Sequence, residues 1–181
     1  SRDITLKLQA EKDQIDLYFD KEKMIKILTN ILSNAFKFTP ENGRITVSVS
    51  ECPADMTESH PELVFGSAFV LASSIDDEIP NRGRNDKMKK FVEIKIRDTG
   101  IGITQDEIPK LFDRFYQVDS SLSKEYEGTG IGLALTKELV ELHHGNISVE
   151  SEMRKFTEFI LTFPIGRDHL KDDEIVEEKK I

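Results

Sequence analysis

Asn30, Asn34 and Lys37 recur at i, i+4 and i+7 in a stretch whose apolar residues Met24, Ile27, Leu28, Ile31, Leu32, Ala35 and Phe36 repeat every three or four positions. On a helix this spacing puts the three polar groups on one face beside a buried stripe. Amide oxygens are hard, neutral ligands. Two of them suit a Mg2+ ion that takes most of its charge balance from nucleotide phosphates. A solvated face is the better reading of any lone Asn; two Asn, a Lys and an adjacent apolar wall favour the ligand reading.

Two further segments carry chemistry. Asp98-Thr99-Gly100-Ile101-Gly102-Ile103 puts a carboxylate at a strand end, before glycines that let the backbone turn close to a ligand. Such an Asp can accept a hydrogen bond from an exocyclic amine such as that of adenine, or it can cap the turn. Gly128, Gly130 and Gly132 stand immediately before a second apolar-periodic stretch. Backbone N–H groups there, at the positive end of a helix dipole, make a site for phosphate oxygens. A dinucleotide-binding reading needs a strand directly before the glycines, and the polar run Ser120-Ser121-Leu122-Ser123-Lys124 stands there instead. Neither a G-x-x-x-x-G-K-[ST] loop nor the eukaryotic-type kinase motif set occurs.

The elements that position these groups follow from periodicity. Ile4 to Gln9 and Ile15 to Phe19 read as short strands, the second ending at Asp20, a good helix N-cap. A helix over 21–37 stops before Pro40 and Gly43. Residues 45–49 and 92–96 alternate as half-buried strands do. A short helix is expected over 105–111, and a long one opens at Gly128 and runs to about His144, with Gly145 as its stop. Strands over 146–150 and 158–163 close the domain. Strands and helices mix without a regular βαβ alternation, so the fold class is α+β, a two-layer sandwich with a mixed, mostly antiparallel sheet.

Composition sets the outer limits. A chain of 181 residues builds one core, and a formal net charge of -9 argues against a nucleic-acid face. Cys52 is the single cysteine, which excludes an intrachain disulfide and fits a reducing compartment. No apolar run approaches the roughly 20 residues that span a bilayer, so no direct membrane contact is expected. The opening Ser1-Arg2-Asp3-Ile4 lacks a signal-peptide pattern and reads as a cut from a longer polypeptide. Residues 1–166 read as one domain and the charged 167–181 as a linker or tail.

In order, these segments resemble the boxes of the sensor histidine kinase ATP-binding domain. It belongs to the wider GHKL group that includes Hsp90, MutL and DNA gyrase ATPases and shares the Bergerat ATP-binding fold. Residues 27–40 resemble the N box, 98–103 the G1 box, 111–116 the F box and 128–133 the G2 box. The resemblance implies helices on one sheet face, an ATP lid over about 113–127, and ATP with Mg2+ as cofactors. It implies that Asn34, with Asn30, holds Mg2+, that Lys37 approaches the phosphates and that Asp98 reads the adenine amino group. Gly100, Gly102 and Ile103 shape the adenine pocket, and Phe112, Phe115 and Tyr116 anchor one end of the lid. Gly128, Thr129, Gly130, Ile131, Gly132 and Leu133 wrap the phosphates. Phe38 stands where the family often has an aromatic near the nucleotide, or it is a core residue at the helix end. Arg114 and Lys124 are candidate phosphate or partner contacts.

The implied reaction transfers the γ-phosphoryl of ATP to a histidine. None of His60, His143, His144 and His169 has the family's acceptor context, a His followed by an acidic residue on a dimerisation hairpin. The implied substrate is therefore a separate phosphoacceptor domain of the same parent. The resemblance also implies a response regulator receiver downstream and a cytoplasmic location, and the fragment alone is expected to bind nucleotide but autophosphorylate poorly. Two rivals stay open. One is a nucleotide-binding regulatory module without transfer. The other is an ATP-driven conformational switch, which needs a catalytic Glu where the first helix has Asn30.

Two departures stand out. The connection over 52–90 is far longer than the family's, and its apolar centre, residues 63–72, suggests a structural elaboration. Arg154 and Phe156 occupy positions where the family commonly has a Gly-x-Gly turn, which puts the local turn geometry in question.

Overall fold

The computed structural model describes residues 3–53, 90–117, 129–167, 169–171 and 175. Within them lie strands β1 (Thr5–Ala10), β2 (Arg44–Pro53), β3 (Lys90–Asp98), β4 (Asn146–Glu152) and β5 (Phe156–Pro164), and helices α1 (Lys21–Phe38) and α2 (Gly132–Leu142). They form one sheet in the order β1-β2-β3-β5-β4. β1 runs parallel to β2, and the other neighbours are antiparallel. The expected α+β sandwich with a mixed, mostly antiparallel sheet is what forms.

Helix α1 starts where the carboxylate of Asp20 accepts from the N–H groups of Glu22 (2.9 Å) and Lys23 (3.1 Å). This satisfies two donors that a helix N-terminus leaves without partners. It ends as the Thr39 hydroxyl donates to the carbonyl of Ala35 (2.5 Å), one residue before Pro40. Its buried stripe is Met24, Ile27, Ile31 and Ala35.

The strand register decides which side chains meet that stripe. Val47 faces Ile96, Ile96 faces Phe159, and Phe159 faces Val149, so one cross-strand row lies on a single face. Ile45, Ile94, Ile96, Phe159 and Leu161 join the α1 stripe and Val140 of α2 in a single core. Both helices therefore cover the same face. The opposite face carries charge pairs, Lys95 with Glu93 (2.8 Å) and Arg97 with Glu158 (3.4 Å), and Arg97 lies over the Phe156 ring (3.6 Å). Ile31 is fully buried at the centre of the core. Ile31→Val, which removes one methylene there, is expected to lower the free energy of unfolding by about 1 kcal/mol in urea titration, with an unchanged m-value.

Four local expectations are corrected. Residues 15–19 form no strand: the segment carries the chain from β1 to α1, and Ile15 and Leu17 pack against the core as parts of that crossing. Their alternation records burial without a neighbouring ladder. The expected helix over 105–111 contracts to a single 3-10 turn, Ile108–Lys110, because Pro109 lacks an N–H to continue it. Helix α2 opens at Gly132, four residues after Gly128. At its far end His144, with φ 55°, takes the left-handed position expected of Gly145. Gly145 instead permits close packing, since a Cβ there would sit 2.6 Å from the Thr162 carbonyl and 2.7 Å from the Phe163 ring.

His143 joins the ends of the two helices. Its Nδ1 lies 2.6 Å from the Leu139 carbonyl, and its Nε2 accepts the Asp20 N–H at 3.1 Å. The two contacts specify the tautomer with the proton on Nδ1.

Candidate functional site

β3 ends at Asp98, whose side chain shares the helix-facing side with Ile94 and Ile96 and is 3% exposed. The Gly100 N–H donates to its Oδ1 at 2.8 Å. Burial pushes this carboxyl up to about 6, against the lowering by the Gly100 and Thr157 amides and by the charge of Arg97. A Cβ on Gly100 would lie 2.5 Å from Asp98 Oδ1 and 2.7 Å from the Phe38 carbonyl. The end of α1 thus closes directly over the turn after β3. Phe38 itself is half-buried there, and the Lys37 ammonium lies 5.0 Å from the centre of its ring.

The same turn is pinned to the β4–β5 connection. Arg154 N–H donates to the Ile101 carbonyl (2.6 Å), Ile103 N–H to Ser151 Oγ (2.8 Å), and Gln105 Nε2 to the Ser151 carbonyl (2.9 Å). Arg154 has φ 62°, so the turn that elsewhere uses glycine forms here with an arginine in the left-handed region. Phe156 begins β5 and supports Arg97. Gly102 has φ 68° and faces the Glu152 backbone with no room for a side chain.

Across the helix layer, Asn30 reaches α2. Its Nδ2 donates to Thr136 Oγ1 at 2.7 Å, and the Thr136 hydroxyl donates to the Gly132 carbonyl at 3.0 Å. A Cβ on Gly132 would lie 2.6 Å from Asn30 Oδ1, so the glycine opens the space that the amide oxygen enters. Asn34, one turn further along α1, is half-buried, and its side chain makes no hydrogen bond among the described residues. Among the described residues no side chain caps helix α2, and its first turn has no acidic residue. Its first N–H groups lie at the positive end of the helix dipole, where an anion is favoured. Thr129 and Ile131 are exposed beside this end, and Leu133 packs on the core. Gly128 and Lys124 lie outside the described residues.

Phe112 packs against the core, and the Lys137 ammonium stands 5.7 Å from its ring centre. Phe115 is 72% exposed with φ 68°, and its N–H donates to the Gly130 carbonyl at 2.9 Å. Gly130, with φ 67°, answers with a bare Cα, because a Cβ would lie 2.7 Å from the Phe115 backbone. Tyr116 N–H closes a turn onto the Asp113 carbonyl (3.3 Å). Arg114, a candidate for phosphate contact, instead pairs with Glu138 of α2 through two nitrogens, at 2.6 and 3.2 Å.

The structure thus brings Phe38, Asp98 and Gly100 together where the end of α1 meets the turn after β3, and Asn30 together with Gly132 where α1 meets α2, with Asn34 and Lys37 on α1 between the two places. It sets Gly130 against Phe115, and Gly102 and Ile103 against β4 and the β4–β5 turn. Sequence reasoning missed Thr136 and Ser151. Thr136 carried a faint signal, as a hydroxyl residue one turn after Gly132 on the side of the helix that also carries Leu133, Leu139 and Val140.

The model of the family described as histidine kinase-, DNA gyrase B- and HSP90-like ATPase matches residues 70–167. Histidine kinase P4 of Formosa agariphila is 32% identical over 180 residues, 98% of this chain and 10% of that protein. Sensor histidine kinase WalK of Bacillus subtilis is 34% identical over 160 residues, 87% of this chain and 20% of its own length. The chain therefore spans a fifth or less of these two relatives. In three dimensions it is similar to the mycobacterial sensor histidine kinase MprB, with a TM-score of 0.58 at 22% identity over 90% of this chain and 82% of that one. That likeness is one of fold. The chain belongs to the histidine kinase-, DNA gyrase B- and HSP90-like ATPase family, as an ATPase domain of the kind that sensor histidine kinases carry.

Proposed function

We propose that the chain holds ATP with Mg2+ in the cleft between α1 and α2 and presents the γ-phosphoryl group to a histidine on a separate phosphoacceptor segment of its parent kinase. The observation that carries this reading is that α1 meets the buried Asp98 turn at its C-terminal end and, through Asn30, the first turn of α2 two turns earlier. Asp98 accepts from the adenine amino group, with Phe38 and Gly100 beside the base. The N–H groups from Gly130 to Leu133 bind phosphate oxygens, and Lys37 adds a positive charge.

Asn30 and Asn34 supply amide oxygens for a hard cation, and the space beside Gly132, which a Cβ would fill, gives Asn30 Oδ1 room to serve. No group of three or more His, Cys, Asp or Glu side chains fit to hold a metal occurs among the described residues. A Mg2+ ion held by Asn30 and Asn34 would take its remaining ligands from phosphate and water oxygens and would supply neutralisation of phosphate charge. The imidazole nitrogen forms the P–N bond as the bond to the β–γ bridging oxygen breaks. ADP leaves with that electron pair, and the ring proton passes to an acidic neighbour of the acceptor.

The acceptor lies outside this cleft. His143 and His144 stand at the end of α2 opposite its N-terminus, and that helix of 11 residues is about 16 Å long. His143 is committed to two hydrogen bonds, and the His144 ring packs edge-on against His169. On this reading residues 1–166 form the catalytic domain, interrupted over 52–90, and 167–181 lead out of it. The parent acts in the cytoplasm, where ATP is, and hands the phosphoryl group on to a response regulator receiver domain. No helix among the described residues is long and apolar enough to cross a membrane.

Calorimetric titration with a non-hydrolysable ATP analogue tests the pocket. Binding is expected to tighten with Mg2+, and Asn34→Ala is expected to remove about 10-fold of that gain while sparing metal-free binding. Mixing the chain with the parent's phosphoacceptor segment and labelled ATP is then expected to give an acid-labile phosphohistidine. Folded protein that binds no nucleotide sinks the reading. Binding without any transfer leaves a regulatory nucleotide module in its place.

A further inference from the structure

We propose that Thr136 is a positioning residue for the cation side of this site, because its hydroxyl fixes the orientation of the Asn30 amide. The inference rests on the Mg·ATP reading above. Thr136 is 2% exposed and lies on α2, on the wall that faces α1. Its hydroxyl has one proton, and that proton goes to the Gly132 carbonyl, 3.0 Å away in the preceding turn. With the proton committed, the oxygen can only accept from Asn30. The partner 2.7 Å away must therefore be the amide nitrogen, Nδ2, and not the oxygen.

The consequence is directional. An asparagine amide presents an acceptor on one side and two donors on the other, and a half-turn about its last bond exchanges them. With Nδ2 held by Thr136, Oδ1 is turned toward the first turn of α2, into the space left by the missing side chain of Gly132. That is the orientation in which Asn30 offers a cation an oxygen. In the reverse orientation the amide would direct N–H groups at the cation and leave the buried Thr136 oxygen facing another acceptor, which is unfavourable on both counts. The Thr136 bond to the Gly132 carbonyl stays within one turn of α2, so removing the hydroxyl is expected to leave the helix backbone and its first N–H groups in place.

The test separates metal-dependent from metal-independent binding. Affinities for a non-hydrolysable ATP analogue are measured with Mg2+ and with excess chelator for the wild type, Thr136→Val and Thr136→Ser. Valine matches the shape and lacks the hydroxyl; serine keeps the hydroxyl. Thr136→Val is expected to weaken the Mg2+ complex about 10-fold and leave metal-free binding within about 2-fold, as loss of an orienting partner does. Thr136→Ser is expected to restore the Mg2+ gain. Thr136→Ala, which removes the hydroxyl without a branched side chain, takes the place of valine if that variant does not fold. An unchanged Mg2+ gain in the hydroxyl-free variant overturns the inference while the nucleotide reading stands. Equal loss with and without Mg2+ also overturns it, since that marks a purely structural role. A wild type that binds no nucleotide overturns the functional reading and this inference together.

Discussion

Asp98→Asn is expected to make the domain more stable at pH 7.5 and to lower its nucleotide affinity by about 100-fold or more. Both effects follow from one buried carboxylate. Its folded value, about 6, lies above the ordinary 3.8 because burial disfavours the charged form more than the Gly100 and Thr157 amides and Arg97 favour it. Between these two values the native state binds more protons than the unfolded chain, so this group's contribution to stability falls as pH rises across that window. The difference amounts to about 3 kcal/mol, carried in full above pH 7. An amide of the same shape carries no charge to desolvate, and a gain of roughly 1–3 kcal/mol at pH 7.5 is expected, absent at pH 4.

Binding responds in the opposite direction. When the oxygen of the substituted amide keeps the bond from Gly100, its amino group meets the amino group of adenine, donor against donor. Losing a charge-assisted hydrogen bond and leaving buried donors without partners costs about 3 kcal/mol, or about 100-fold. In the wild type the same logic makes nucleotide affinity fall as pH drops through about 6, where the free carboxylate takes up its proton. Thermal melts at two pH values and calorimetry check the three statements. A variant that binds nucleotide as the wild type does would remove Asp98 from the recognition scheme.

Gly102→Ala carries the larger cost in stability, and Gly166→Ala supplies its control. Both glycines lie in the left-handed region, at φ 68° and 83°. In that conformation a Cβ alone costs roughly 1–2 kcal/mol. Around Gly166 nothing lies within 4 Å of where the Cβ would stand. At Gly102 it would overlap the Glu152 carbonyl and lie 2.8 Å from the Met153 Cα, and both are backbone atoms that no rotamer change can move. Separation of the β3 turn from the β4–β5 turn is the remaining outcome, with loss of the Arg154 to Ile101 and Ile103 to Ser151 hydrogen bonds. A destabilisation of more than about 3 kcal/mol is expected for Gly102→Ala in urea, against about 1 kcal/mol for Gly166→Ala. Equal losses at the two positions would show that conformation alone, and not the Glu152 contact, demands glycine at 102.

The legible parts of this protein are those whose signal is local. The α1 stripe, the Asp20 cap and the alternation of β3 each lie within one turn or one strand, and the structure places them where periodicity puts them. Asn30, Asp98 and the Gly130–Gly132 turn are likewise recoverable because helix spacing and strand ends fix them. The misread parts depend on partners far along the chain. Ile15 and Leu17 alternate as strand residues do, yet they pair with no strand among the described residues and are half-buried by packing on the core. The contact of Gly102 with the Glu152 backbone, on another strand, has no local signal in its motif. Thr136 needs Asn30, on another helix, before its hydroxyl means anything. Arg154 breaks the glycine pattern of its turn and still adopts left-handed geometry, because the turn is held from outside by Ile101.

The clip between Phe115 and Gly130 has a consequence for the length of chain between them. The two residues meet backbone to backbone, so the chain before the one and after the other is held at a fixed separation. A loop closed at fixed ends charges little for extra length: doubling it adds only about 0.6 kcal/mol of closure entropy. A change in the number of residues between Phe115 and Gly130 is therefore expected to leave Asn30, Asp98 and the start of α2 where they are, because the two ends stay clipped together whatever the length between them.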